Sequence, residues 1–160
     1  MSDRQKLVDQ LMQHEGLRLK PYMDSVGKMT IGCGRNLTDV GISQAEAMIL
    51  LDHDIDLAIG DCATFPWFVT LDAVRQRVMI DLRFNLGPRR LRSFKRFLRL
   101  MAESDYAAAA GALRDSLWYR QVRSRGVRLV RMMATGLDNG DTIVGVVRLP
   151  YPEEATTTER

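Results

Sequence analysis

Glu15, Asp24 and Thr30 follow one another at intervals of nine and six residues in a stretch, His14 to Thr38, that glycines punctuate. Two carboxyls and a hydroxyl can make an acid–base site. One carboxyl, held protonated, assists a leaving oxygen, while the other, ionised, attacks or activates a water; hydrolysis of a glycosidic bond needs both. A glutamate at a lobe edge can have its pKa raised by burial, whereas an aspartate on a wetter turn stays ionised, which would divide the two roles. Read without other information, the same residues are a helix-end charge, a turn aspartate and a strand former, and composition alone favours that plainer reading.

The elements must bring these groups together, because nine residues of extended chain could hold Asp24 up to roughly 30 Å from Glu15. Leu7, Val8, Leu11 and Met12 have the rhythm of a helix with one buried stripe, predicted over 3–15 with Asp3 as N-cap and Gly16 as its end. From Leu17 to Thr38 the period shortens to that of a meander of short antiparallel strands, with Pro21 to Gly27 as the reversal and Met29 to Ile31 as the returning strand. Gly32 and Gly34 flank Cys33, a pattern for close approach of ligand or backbone. Ser43 and Glu46 form a capping box that opens a linking helix over 43–60, followed by a loop bearing Phe65, Trp67 and Phe68.

Thr70 is expected to cap an apolar helix that stops at Gly87-Pro88, and further helices are expected over 91–102, 105–115, 116–122 and 124–135, the last between Ser124 and Gly136. Thr142 to Leu149 is strand-like in composition, but Pro150, Pro152 and a polar end argue for a partly disordered tail. The expected fold is α+β and mainly helical. A small antiparallel lobe (about 16–42) and a larger all-helical lobe (61–136) are joined by the long helix in one domain, 1–160, with a tail over 137–160.

With 46% hydrophobic residues in 160, the chain can bury a real core without staples. Its two cysteines, Cys33 and Cys62, lack any ligand spacing, so neither a disulfide framework nor a metal site is expected, nor any cofactor. The charged N-terminal residues do not suit a secretory signal, and no run approaches the roughly 18 apolar residues of a membrane span; a cytoplasmic, soluble protein without stable membrane insertion is expected. Between Arg83 and Arg131 the acidic residues are only Glu103, Asp105 and Asp115, against many arginines. That asymmetry points to a polyanionic partner: nucleic acid, anionic membrane or bacterial wall.

The stretch HEGLRLKPYMDSVGKMTIGCG resembles the active-site segment of the bacteriophage T4-type lysozymes, the phage muramidases of glycoside hydrolase family 24. Glu15, Asp24 and Thr30 match that family's catalytic set at the same spacing, with Gly16, Leu17, Gly32 and Gly34 in place. The resemblance continues through Leu71 to Arg75, Phe84 to Gly87, Ser116 to Tyr119 and Arg125 to Gly136, and covers about residues 5–137. It implies a lysozyme-like fold and hydrolysis of bacterial peptidoglycan between N-acetylmuramic acid and N-acetylglucosamine. Glu15 would be the general acid, Asp24 would position or activate water, and Thr30 would hold that water. A water between carboxyls implies inversion, with the groups roughly 6.5 to 9.5 Å apart.

The resemblance also makes Arg125 an arginine that approaches the glutamate, and Phe84 and Asn85 a cleft wall for N-acetyl sugars, although Phe84 reads equally as a core aromatic. Trp118 and Tyr119 read as core. Arg35 stands where T4-type enzymes have a histidine, and Asn36, a substrate-contact candidate, replaces a leucine on the cleft rim. A monomeric endolysin reaching the wall at lysis, by way of a phage holin, is what the family suggests. A nucleic-acid-binding helical protein and a silent wall-binding domain are the rivals; the first would leave the Glu15, Asp24, Thr30 spacing unexplained.

Overall fold

A computed structural model of the chain describes residues 2–138. The chain divides into two compact units, Met1–Asp54 and Ile55–Arg160, and the boundary falls inside the second helix.

In the first unit, α1 (Asp3–Glu15) is capped by Ser2, whose side chain accepts the Gln5 N–H. The cap is thus one residue earlier than expected, and Asp3 sits in the first turn, where a carboxylate favours the helix dipole. Gly16, at φ 70°, ends the helix. The apolar stripe is present, but no α1 residue is buried; Leu7 and Leu11 are about half exposed. Periodicity specifies a face able to be buried, not the surface that covers it.

Three strands follow, β1 (Arg18–Met23), β2 (Met29–Gly32) and β3 (Arg35–Asn36), antiparallel and in the order β1-β2-β3, the meander expected. Pro21 lies within β1 rather than in the reversal. It is tolerated there because β1 is an edge strand and its pairing is irregular between Arg18 and Tyr22. The chain turns at Asp24 to Lys28, and the register sets Tyr22 opposite Thr30 and Thr30 opposite Asn36.

The capping box holds: the Glu46 N–H reaches Ser43 Oγ at 3.2 Å, and Glu46 Oε2 accepts the Ser43 N–H at 2.7 Å. It opens α2 (Gln44–Ala63), which runs three residues further than expected.

The second unit holds every buried apolar residue among those described. After a 3-10 turn at Phe68–Thr70 comes α3 (Ala73–Ser93). Thr70 does not cap it: its hydroxyl donates to the Trp67 carbonyl, and Asp72, the last extended residue, accepts the Arg75 N–H. Gly87, at φ 74° and ψ 163°, breaks α3 where expected, and helix resumes at Pro88, which has no N–H to leave unsatisfied in a first turn.

The single helix expected over 91–102 is therefore two pieces, the end of α3 and α4 (Lys95–Ala102), separated at Phe94. Then come α5 (Tyr106–Arg114), α6 (Leu117–Val122) and α7 (Ser124–Thr135). Ser124 is the first residue of α7, not its cap; Arg123 precedes it at φ 46°. Gly136 ends α7 in the left-handed conformation, as expected.

Val78, Met79 and Leu82 of α3, Phe97 and Met101 of α4, Leu113 of α5 and Met133 of α7 make the centre of one core. Each such side chain contributes about 1.5–3 kcal/mol. Arg75 closes the far end of α7, donating from Nε to the Met133 carbonyl at 2.9 Å and from Nη2 to that of Ala134 at 3.2 Å, with its guanidinium 4.0 Å from the Tyr106 ring centroid. Trp118 is buried and Tyr119 packs on the core, as expected. No helix among the described residues is long and apolar enough to cross a membrane. The strand-like Thr142 to Leu149 and the rest of the tail from residue 139 lie outside the described residues.

Candidate active site

Asp24 opens the β1–β2 turn, and its carboxylate organises that turn. Oδ1 accepts the backbone N–H of Lys28 at 2.8 Å and of Val26 at 3.0 Å. Oδ2 faces the Thr30 hydroxyl at 3.3 Å. The Lys28 N–H above all, with those of Val26 and the Thr30 hydroxyl and the Lys28 charge, holds the Asp24 carboxyl below the usual aspartate range, against some desolvation. It is therefore ionised at neutral pH, the state a water-activating carboxylate needs.

Thr30 is buried on β2 at 3% exposure. Its hydroxyl has two acceptors at the same distance, Asp24 Oδ2 and the Lys28 carbonyl, both 3.3 Å. One proton can serve only one of them at a time, and the oxygen keeps lone pairs with which to accept from a water.

Glu15 stands at the C-terminal end of α1 with its carboxyl exposed. It lies against the β2–β3 turn. A Cβ added to Gly34, whose φ is +78°, would sit 3.3 Å from Glu15 Oε2 and 3.6 Å from Cδ. The close approach expected at Gly32 and Gly34 is found at Gly34 alone, where the neighbour is the glutamate; nothing stands within 4 Å of a Cβ at Gly32.

The remaining candidates have their own partners. Asn36 is engaged locally, its amide nitrogen donating to Asp39 Oδ2 and its oxygen accepting the Asp39 N–H, both at 2.9 Å. Arg125 places Nε and Nη2 on Asp81 Oδ1 at 2.9 and 2.8 Å. Asn85 accepts the Trp118 indole N–H at 2.8 Å. Phe84 is 43% exposed and does not belong to the buried core. Lys28 was not singled out from sequence, because its part is played by a backbone N–H that no side-chain motif marks. Asp81 was missed as well, for it meets Arg125 across 44 positions.

Residues 12–133 match the family model described as phage lysozyme. The chain belongs to the phage lysozyme family. The match takes in Glu15, Asp24, Thr30 and nearly all of α7. Among curated relatives the chain is 26% identical to "Probable T4-type lysozyme 1" of Dictyostelium discoideum, over 82% of this chain and 95% of that protein. It is 28% identical to "Probable T4-type lysozyme 2" of the same organism, over 81% and 94%. It is also 27% identical to the "Pre-baseplate central spike protein Gp5" of Enterobacteria phage T4, over 81% of this chain but 28% of that protein. Membership in the phage lysozyme family carries a lysozyme-like function.

Proposed function

We propose that the chain is a muramidase that hydrolyses the β-1,4 bond between N-acetylmuramic acid and N-acetylglucosamine in peptidoglycan, with inversion. Glu15 protonates the leaving oxygen, and Asp24, with Thr30, holds and activates the attacking water. The observation that carries this reading is the Asp24–Thr30 pair: an aspartate locked ionised by two backbone N–H groups, beside a buried hydroxyl that retains acceptor capacity for a water. A glycan lying over the exposed Glu15 carboxyl would exclude water from it. The basic surface from Arg89 onward suits an anionic wall.

Clearing of chloroform-treated Gram-negative cell walls tests the proposal. Wild-type protein is expected to reduce turbidity, and Glu15→Gln, which keeps shape but cannot act as a carboxylic acid, is expected to lose activity by at least about a hundredfold. A Glu15→Gln variant that clears walls as fast as wild type would remove Glu15 from its role. Wall binding by the wild type without clearing would leave only a wall-binding domain. NMR of the first anomer released is expected to show α configuration; a β product would reject inversion.

A further inference from the structure

Glu15 is met by a turn, and that turn is itself anchored. Gly34, the residue against Glu15 Oε2, is followed directly by Arg35, the first residue of β3. The Arg35 guanidinium donates from Nη1 to the Gly41 carbonyl at 3.3 Å and from Nη2 to Glu46 Oε1.

Glu46 divides its carboxylate between two tasks. Oε1 takes Arg35, while Oε2 takes the N–H and hydroxyl of Ser43 at 2.7 and 2.9 Å, closing the N-terminal cap of α2. The Ser43 N–H first, and Arg35 among the lesser causes, hold the Glu46 carboxyl below its usual range. A series therefore runs from the start of α2 through Glu46 and Arg35 to Gly34, and the Glu15 carboxyl lies on the side where a Gly34 Cβ would project.

We propose that Arg35 and Glu46 are positioning residues for the general acid. Their ion pair fixes the β2–β3 turn so that the Gly34 backbone forms one wall against the Glu15 carboxyl and restricts the directions it can take. Neither residue touches the reacting atoms. The pair is about 40% exposed on both sides and contributes little to global stability. Its value is geometric, since misplacement of a catalytic group by about 1 Å can lower turnover by about a hundredfold. Glycine suits position 34 for its positive φ, and a Cβ there would press on Glu15 Oε2 at 3.3 Å.

The inference rests on Glu15 being the acid, and kinetics on soluble, uncross-linked glycan strands test both together. Arg35→Met is expected to lower kcat about tenfold or more with KM within about twofold, and with the thermal midpoint within about 2 °C of wild type. Glu46→Gln, which can still accept from Ser43, is expected to match it. The double variant should be no slower than either single one, because the two residues act as one unit. Arg35→Lys should recover part of kcat by restoring the charge.

In the Glu15→Gln background, Arg35→Met is expected to have no further effect. An inactive Glu15→Gln together with wild-type kcat in Arg35→Met would overturn the positioning role and leave the proposed function standing. Full activity in Glu15→Gln would overturn both. A fall in kcat that tracks loss of the folded state, or strictly additive losses in the double variant, would reduce the pair to a structural contact.

Discussion

At the scale of single residues, Thr30 is the buried polar side chain among those described, and a hydroxyl is kept there because a carboxylate needs it. Thr30→Val preserves shape and removes the hydroxyl that faces Asp24 and the Lys28 carbonyl. It is expected to lower turnover about a hundredfold while costing only about 1 kcal/mol of stability in a urea titration. A variant that kept full turnover would show that the hydroxyl serves the turn and not the water.

Asp24 supplies a pH signature. Its folded-state pKa is depressed, so the stability it contributes is complete above its ordinary value of 3.8 and is lost as pH falls through the lower folded value. NMR titration of the Asp24 side chain is expected to give a midpoint below 3.8, and Thr30→Val to move it upward; a midpoint at or above 3.8 in wild type would mean that the turn does not hold the carboxylate. The pairing of Asp24 with Thr30 was legible from spacing and the meander. The Lys28 N–H and the Asp81 partner of Arg125 were not, because the first depends on backbone geometry and the second on the packing of distant helices.

At the scale of elements, breakers were easier to read than caps. Gly87-Pro88 and Gly136 act where their chemistry places them, since positive φ and a missing N–H leave few alternatives. The caps shifted by one or two residues, from Asp3 to Ser2 and from Thr70 to Asp72. Serine, threonine and aspartate can all cap, and the choice falls on whichever is the last extended residue before the helix. The α6–α7 junction falls at residue 123, between the helices expected over 116–122 and 124–135, and only the cap there, Ser124, was misread. Gly126 there leaves room for Tyr119: an added Cβ would stand 2.8 Å from Tyr119 Cδ2. Gly126→Ala is therefore expected to destabilise by about 1–3 kcal/mol. Urea denaturation followed by fluorescence would measure it, and an unchanged midpoint would show that Tyr119 yields freely.

At the scale of the whole molecule, the fold class was legible: mainly helical, with one small antiparallel sheet near the start of the chain. What covers the apolar stripe of α1 was not, because periodicity names no partner. The two cysteines report on the molecule as a whole. Cys33 is exposed, and Cys62 is fully buried on α2 with its thiol pushed up to about 11 by burial. A thiol reagent at neutral pH is expected to modify one cysteine per native chain and two in urea. Prompt modification of both in native protein would show that the core around Cys62 opens readily.

The grip of Arg75 on the last carbonyls of α7 bears on what can follow that helix. The final helix of the matched region is finished by Gly136, whose N–H donates to the Met132 carbonyl, and by an arginine some sixty positions earlier. A helix whose last carbonyls are held by a side chain from an earlier helix has them satisfied whatever sequence is joined further on. In Gp5 of phage T4 the similarity occupies 28% of a longer protein, so there a segment similar to this one is part of a larger chain.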